Sequence, residues 1–224
     1  MSATVSRRRR IGRIILWVCG ALAVVVLAVA AAVVIPILTH ENSGSSGQEA
    51  GAEGAFPTEV SATGEDGRTR VLEVVGADGE PVDLSALSPG DELTVFGTGF
   101  NADNGIYLGF CKIPAPGEKP SPCLGGIPEG AESGELGTDT PAGSDAPALE
   151  SQWITNNWAW KSFATGSYSD AENGAFTARL QVPAVTMEGL DCRVEQCGIF
   201  TRNDHTASGD RVQDLFLRFG TEAG

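Results

Sequence analysis

The chain has 224 residues and is acidic, with 29 aspartates and glutamates against 15 lysines and arginines. Five arginines lie at or before Arg13 and every acidic residue follows it, so residues 14–224 carry 10 − 29 = −19 formal charges. This balance argues against nucleic-acid binding, because no basic face is left to neutralise phosphates. We therefore expect no nucleic-acid partner.

The N-terminus consists of a basic tail, residues 1–13, followed by a long apolar run. From Ile14 to Ile35 there are 22 consecutive uncharged residues. As an α-helix this run would extend about 33 Å, the hydrocarbon thickness of a bilayer. We predict a transmembrane helix over residues 14–38, with the lipid bilayer as its partner. The next basic residue after the run is Arg68, so the positive-inside rule predicts a cytoplasmic N-terminus and an extracytoplasmic C-terminal region.

A cleaved signal peptide is the alternative interpretation, because it also begins with basic residues and an apolar stretch. The apolar run here is longer than the usual roughly 7–15 residues, and its Ala-x-Ala sites lie inside the run. We therefore favour a retained signal-anchor and a single-pass plasma-membrane protein. Residues 39–67, rich in Gly, Ser and Glu, predict a flexible stalk, because such a segment buries too little apolar surface to offset the cost of ordering.

Residues 68–224 contain short apolar runs with period two, the pattern of half-buried strands. No convincing amphipathic helix of ten residues is visible, and Asn-Gly pairs, which favour tight turns, precede two of the runs. The region therefore predicts an all-β sandwich. The predicted strands are Arg70–Val75, Glu92–Phe96, Ile106–Cys111, Phe176–Val182, Cys197–Thr201, Leu215–Phe219 and one more near Gln152–Trp160.

One stretch, residues 114–150, interrupts this pattern. It holds seven of the twelve prolines and seven acidic residues against one lysine. Loops of this length within a domain are usually functional or disordered. We predict a long acidic Pro/Gly surface loop outside the core, with disorder favoured over function and with residues 130–147 dispensable for stability.

The five cysteines divide into one in the apolar run, Cys19, and four in the predicted exported region. An even number outside the membrane favours two disulfides. A zinc site is the weaker alternative, because the spacings C-x11-C and C-x4-C differ from paired C-x2-C knuckles. The four cysteines allow three pairings, and their spacing does not choose among them. They are Cys111, Cys123, Cys192 and Cys197.

Four stretches give the domain a family resemblance. Ser88-Pro89-Gly90-Asp91 leads into a strand that ends in Gly97-Thr98-Gly99, and a cysteine-bearing strand, Ile106–Cys111, follows. Asn173-Gly174 then precedes a hairpin strand, and Cys192-x4-Cys197 forms a second cysteine pair.

In these features the chain resembles the neocarzinostatin-like family, actinobacterial immunoglobulin-like apoproteins that carry enediyne chromophores. The resemblance implies an immunoglobulin-like antiparallel β-sandwich of about seven strands, with disulfides Cys111–Cys123 and Cys192–Cys197. It covers about 90 residues. The chain departs from the family because family members are secreted and free, and because residues 114–150 and the Trp-rich segment after them have no counterpart in the family. The chromophore cleft of the family cannot be mapped onto this chain residue by residue.

Two groups of residues could form a site. Trp153, Trp158 and Trp160 could line a cleft for a flat apolar ligand, although tryptophans packed in the core explain them at least as well. His205, with Asp204, Ser208 and Asp210 nearby, suggests a hydrolytic triad but lacks a nucleophile elbow or an oxyanion-hole segment.

We therefore expect a non-enzymatic extracytoplasmic binding domain without cofactor or metal. Its partner would be a small apolar or aromatic ligand. The alternative is a structural or protein-interaction role in the cell envelope, with another envelope protein as the partner.

Overall fold

The structure is a computed structural model, which describes residues 3–49, 51–52, 54–126 and 147–221. The chain divides into two compact units, Met1–His40 and Glu41–Gly224. The first is a single helix and the second is built mostly from antiparallel strands. The predicted β class of the second unit and the predicted N-terminal apolar helix are thus confirmed.

Helix α1, Ala3–Leu38, forms the first unit. It begins within the predicted basic tail, because arginine is a good helix former. Its segment Gly12–Leu38 has a mean hydropathy of 3.0 and no buried residues, and it is long and apolar enough to cross a membrane. The helix ends where the backbone N–H and the hydroxyl of Thr39 both donate to the Ile35 carbonyl.

The second unit has ten strands among its described residues. They are β1 Glu59–Thr63, β2 Thr69–Gly76, β3 Glu92–Thr98, β4 Ile106–Lys112, β5 Ser151–Ile154, β6 Phe176–Gln181, β7 Thr186–Met187, β8 Leu190–Asp191, β9 Cys197–Asn203 and β10 Phe216–Phe219. The first sheet has the order β1-β2-β3-β6 and the second the order β10-β9-β4-β5, with all pairs antiparallel, while β7 and β8 form a small ribbon.

Strands of both four-stranded sheets contribute to one hydrophobic core. In β6, Phe176, Ala178 and Leu180 are buried while the residues between them are partly exposed, as period-two alternation requires. Perpendicular ring contacts add to this packing; the Phe110 and Phe219 ring centroids lie 5.6 Å apart.

A tight turn precedes β6 at the predicted Asn173-Gly174 pair. Gly174 has a φ of 58°, and a Cβ atom there would lie 1.8 Å from the Phe100 carbonyl oxygen. The Ala175 N–H donates to the Asp170 carbonyl at 2.8 Å and closes the turn. Glycine is therefore required by both the backbone conformation and the available space.

Part of the predicted stalk, residues 39–67, belongs to the folded unit. Glu59–Thr63 forms the edge strand β1, with Ala62 buried in the core. Upstream of β1, the Ser43 N–H donates to the Asp210 carboxylate at 2.9 Å, and the Gln48 side chain pairs with the backbone of Phe216. Polar side chains hydrogen-bond to backbone groups in this segment. A composition typical of a flexible stalk therefore occurs here in ordered structure.

The predicted loop, residues 114–150, also contributes to the fold at both ends. The Leu124 side chain is 1% exposed and lies in the core, and the Leu124 N–H donates to the Phe110 carbonyl. At the other end, the Leu149 carbonyl accepts from the Gln181 N–H. The prediction that the whole range lies outside the core is therefore wrong at Leu124, whereas Leu149 contributes a backbone hydrogen bond without belonging to the core. Residues 127–146, and with them most of the predicted dispensable segment, lie outside the described residues.

Two disulfides join Cys111 to Cys123 and Cys192 to Cys197. This is the pairing that the family resemblance implies. Disulfides of this kind are typical of an oxidising, extracytoplasmic compartment. Cys19 is a free cysteine exposed on helix α1.

Candidate functional site

The outer face of the second sheet carries an unusual set of side chains. In β4, the core-facing residues Ile106, Leu108 and Phe110 alternate with Tyr107 and Gly109 on the outer face. A strand that places glycine between an aromatic residue and a disulfide has room above its backbone.

Strand register arranges the outer-face residues in rows across the sheet. Tyr107 lies opposite Trp153 of β5 and opposite Arg202 of β9. In the next row, Gly109 lies between Ser151 and Phe200. Each row therefore brings together residues from three strands far apart in the sequence.

A cavity of about 160 Å³ opens above these rows. Gly109 forms its floor, and a Cβ atom added there would meet only the Ser151 Cβ atom at 3.4 Å and backbone atoms no closer than 3.9 Å. The lining is mostly apolar, as in small-molecule sites, where a few polar groups fix orientation. It consists of Tyr107, Leu108, Gly109, Cys111, Cys123, Leu124, Gly126, Ser151, Phe200 and Arg202.

The Cys111–Cys123 disulfide builds one wall of this cavity. It ties the chain after β4 back onto the strand, and Cys111 and Cys123 also form an isolated antiparallel bridge. The Lys112 N–H donates to the Pro122 carbonyl and the Leu124 N–H donates to the Phe110 carbonyl, so the returning segment runs alongside β4. The wall is therefore held by a covalent bond and by backbone hydrogen bonds.

Arg202 supplies the cationic group of the lining. Its guanidinium carbon lies 5.5 Å from the centroid of the Tyr107 ring, a cation–π distance, and its Nη1 donates to the Pro120 carbonyl at 3.3 Å. Burial lowers the pKa of Arg202 below its ordinary value. Burial and the nearby Arg202 and Arg211 likewise lower the pKa of Lys119.

Trp153 is a structural residue that supports this face. Its indole is 4% exposed, and its Nε1–H donates to the Asp204 carboxylate at 2.9 Å. The Tyr107 ring lies against it with centroids 5.9 Å apart. Burial, together with the negative charge of Asp204, raises the pKa of Tyr107.

Of the three tryptophans predicted to line one cleft, two lie together and Trp158 lies apart. Trp160 lies near Trp153, and its ring meets His205 perpendicularly at 4.7 Å. Trp158 is 60% exposed and lies beside a different depression. The strand predicted near Gln152–Trp160 ends at Ile154, because side chains of Thr155 and Asn157 accept backbone N–H groups and start a compact turn.

The polar residues around His205 have other partners. Asp204 accepts from Trp153 with one carboxylate oxygen and from the Thr206 N–H and hydroxyl with the other. His205 Nδ1 lies 3.1 Å from the Tyr107 hydroxyl oxygen, and Asp210 accepts the Val212 N–H at 3.0 Å. These contacts fix the turn between β9 and β10.

Two further depressions lie among the described residues. One of about 530 Å³, beside Trp158, is wide open and bordered mainly by polar residues such as Asn101, Asp103 and Asn156. The other, of about 250 Å³, lies between residues 45–48 and residues 113–120 and shares Phe200 with the cavity. In the part of the chain that the structure describes, no group of three metal-ligating side chains is found.

Sequence reasoning missed Tyr107, Gly109, Phe200 and Arg202 as site residues. The available signal was Gly109 inside an otherwise regular strand, since glycine in a strand often marks a close approach by another group. The partners of Gly109 could not be predicted, because they depend on the register with β5 and β9.

Comparison with known proteins does not extend these observations: no family model matches the chain, and neither a curated protein nor a solved structure matches it.

Proposed function

We propose that this chain is a membrane-anchored extracytoplasmic binding protein whose β unit takes up a small apolar or aromatic ligand without chemical conversion. The ligand would occupy the cavity between Tyr107, Gly109 and the Cys111–Cys123 disulfide. The observation that carries the proposal is an apolar cavity of about 160 Å³ with one cationic group in its wall. A mostly apolar concavity with few polar groups is the usual form of a small-molecule site.

The membrane anchor and its orientation rest on charge and compartment. Basic residues are concentrated at the N-terminal side of the helix, which supports a cytoplasmic N-terminus by the positive-inside rule. The two disulfides support an oxidising location for the β unit. Together they favour a single-pass plasma-membrane protein with the cavity outside.

Membership of the neocarzinostatin-like family is part of the same proposal. Two four-stranded antiparallel sheets with one shared core, together with two local disulfides, support an immunoglobulin-like sandwich. The ligand does not follow from this likeness, because one fold hosts many functions. It rests on the lining of the cavity alone.

Filling the cavity tests the proposal. In Gly109→Val, the new Cβ atom fits the backbone, since its nearest neighbour would be 3.4 Å away, and the methyl groups enter the cavity. The full chain in nanodiscs is dialysed against 2-naphthamide, with protein-free nanodiscs as the blank for partition into lipid. We expect saturable uptake by the unchanged chain and at least a tenfold weaker uptake by Gly109→Val.

Thr177→Val is the matched control, because it places the same side chain on the outer face of the first sheet, in β6. Uptake by this variant should equal that of the unchanged chain. Equal uptake by Gly109→Val and the unchanged chain, or no saturable uptake by either, would contradict the proposal.

Exposed Trp158 favours a second function, recognition of another envelope protein. A tryptophan with 60% exposure beside Arg68 and Glu172 resembles the aromatic anchors of protein interfaces. Naphthamide uptake by the unchanged chain distinguishes the two functions, and Trp158→Ala should leave that uptake unchanged if the cavity is the functional site, since Trp158 lies outside its lining. Under the second function, naphthamide would show no saturable uptake at all.

A further inference from the structure

The charges around the cavity restrict its ligand further. Among the described residues, five arginines and lysines form ion pairs with carboxylates: Arg70, Lys112, Arg179, Arg193 and Arg211. Arg202 forms none in that part of the chain. Its guanidinium lies over the Tyr107 ring and donates to one backbone carbonyl.

This arrangement leaves most of the guanidinium hydrogen-bonding capacity unused. An arginine has five N–H donors, and within the described residues Arg202 donates one hydrogen bond, to the Pro120 carbonyl at 3.3 Å. A guanidinium partly removed from water gains most from a charged acceptor, because such hydrogen bonds are roughly twice as strong as neutral ones. The lowered pKa of Arg202 reflects the same loss of hydration.

The local field also favours an anion, although the whole unit is acidic. Arg211 and Lys119 lie close enough to Arg202 that the three positive charges influence one another. Asp214 forms an ion pair with Arg211 and also attracts Arg202 and Lys119, so its single negative charge offsets part of the three positive ones. The cavity therefore has a positive side within a unit of formal charge 10 − 29 = −19, so an anion bound there is selected by this site and not by the overall charge.

We infer that the ligand of the cavity is an aromatic carboxylate, with its ring over Gly109 and against the Cys111–Cys123 disulfide and its carboxylate on the Arg202 guanidinium. The planar guanidinium fork matches a carboxylate in geometry and can bind both oxygens. The apolar wall and the cation then recognise opposite ends of one molecule. This inference rests on the proposed function, since it names the chemical class of ligand for the same cavity.

Two probes of nearly identical shape test the inference. 2-Naphthoate is ionised at neutral pH and 2-naphthamide is neutral, so their difference reports the exchange of a carboxylate, with two acceptor oxygens, for a neutral amide with one. With the full chain in nanodiscs and protein-free nanodiscs as the blank, we expect naphthoate to bind about tenfold more tightly than naphthamide. Equal affinities would overturn the inference and leave the proposed function intact, whereas no saturable binding of either probe would overturn both.

Substitutions identify the group responsible. Arg202→Met keeps much of the apolar stem and removes the charge, so naphthoate should fall to the affinity of naphthamide while naphthamide changes less than about threefold. Arg202→Lys keeps the charge without the fork and should give an intermediate preference. Arg218→Met is the control, because Arg218 lies on the same outer face of the sheet, opposite Gly198, but outside the cavity.

Two outcomes of these substitutions would contradict the role of Arg202. A preference for naphthoate that persists in Arg202→Met, or that disappears in Arg218→Met, would contradict the assignment to Arg202. Because the comparison of the two probes on the unchanged chain needs no substitution, a variant that fails to fold leaves the inference open to refutation.

Discussion

At the scale of single residues, Tyr107 joins the structural and the binding parts of the outer sheet face. Its ring packs on the buried Trp153 on one side and carries the Arg202 guanidinium on the other. Its hydroxyl meets His205 at 3.1 Å. Trp153, which was predicted to line a cleft, therefore affects the cavity indirectly. It holds Tyr107 in place, and Tyr107 borders the cavity.

Asp214 is a residue whose charge opposes folding. It forms an ion pair with Arg211 at 2.8 Å, yet its Oδ1 atom is buried and has no hydrogen-bond partner among the described residues. Burial raises the pKa of Asp214 to about 7, and the positive charge of Arg211 offsets this only in part. The carboxyl therefore binds its proton more tightly in the folded than in the unfolded chain, where a pKa of about 3.9 is expected.

A pH dependence follows from this difference. Because the folded-state pKa lies above the unfolded one, Asp214 costs stability progressively as pH rises from about 4 to about 7. Asp214→Asn removes this titration while keeping a side chain of similar shape. We expect the unfolding temperature of the unchanged chain, relative to Asp214→Asn, to fall by several degrees between about pH 4.5 and pH 8, as measured by circular dichroism. A constant difference over that range would show that this carboxyl does not titrate there.

At the scale of elements, period-two alternation predicted the strands that have large apolar side chains on one face. Strands β2, β3, β4, β6, β9 and β10 overlap the predicted ranges because Val, Leu, Ile and Phe recur there at alternate positions. Strand β1 was not predicted because its apolar pattern is weak. Val60 and Ala62 are its only inward-facing apolar residues, and its other residues are Glu, Ser and Thr. The sequence could not show that β1 pairs with β2, because strand pairing is a tertiary contact.

The candidate site was predicted only in part for a related reason. The aromatic content indicated the correct region of the sheet, because Trp153 lies beside the cavity wall at Tyr107 and Trp160 lies against Trp153. The prediction for Trp158 was wrong because it assumed a strand up to Trp160, whereas β5 ends at Ile154 and Trp158 lies in the turn that follows. The cation of the site, Arg202, comes from β9 and lies 202 − 107 = 95 residues after Tyr107 in the sequence. Only the strand register brings the two residues together.

The outer edge of β10 is covered by one side chain instead of a strand. The Gln48 amide donates to the Phe216 carbonyl and accepts from the Phe216 N–H, each at 2.8 Å, so it imitates a pairing residue. Covering an edge in this way hides backbone groups that could otherwise pair with another chain.

Removing this cover should loosen the edge locally. We expect Gln48→Leu to lower the free energy of unfolding by roughly 1–2 kcal/mol, as the loss of two modest hydrogen bonds would. Amide hydrogen exchange at Phe216 should accelerate. Gln181→Leu, on the outer face of β6, is the control for the side-chain change itself and should leave Phe216 exchange unaltered. Unchanged protection of Phe216 in Gln48→Leu would mean that the Gln48 contact contributes nothing to the edge.

At the scale of the whole molecule, the β unit contains its own core and its own crosslinks. The core residues all lie between Phe56 and Phe219, and both disulfides join residues within that range. The helix residues from Gly12 to Leu38 are unburied. Stability of the β unit should therefore depend on its disulfides and little on its anchor.

The two disulfides should not contribute equally. Loops of 12 and 5 residues predict contributions of roughly 3 and 2 kcal/mol from chain entropy. The Cys111–Cys123 disulfide also holds Leu124 in the core and one wall of the cavity in place.

In residues 41–224 produced without the helix, we expect an unfolding temperature within a few degrees of that of the full chain in nanodiscs. Replacing Cys111 and Cys123 by serine should lower it more than replacing Cys192 and Cys197, and should also abolish naphthamide uptake. The reverse order of stabilities would mean that the segment after β4 keeps its place without the covalent bond, and the cavity wall would then rest on the backbone hydrogen bonds of Lys112 and Leu124 alone.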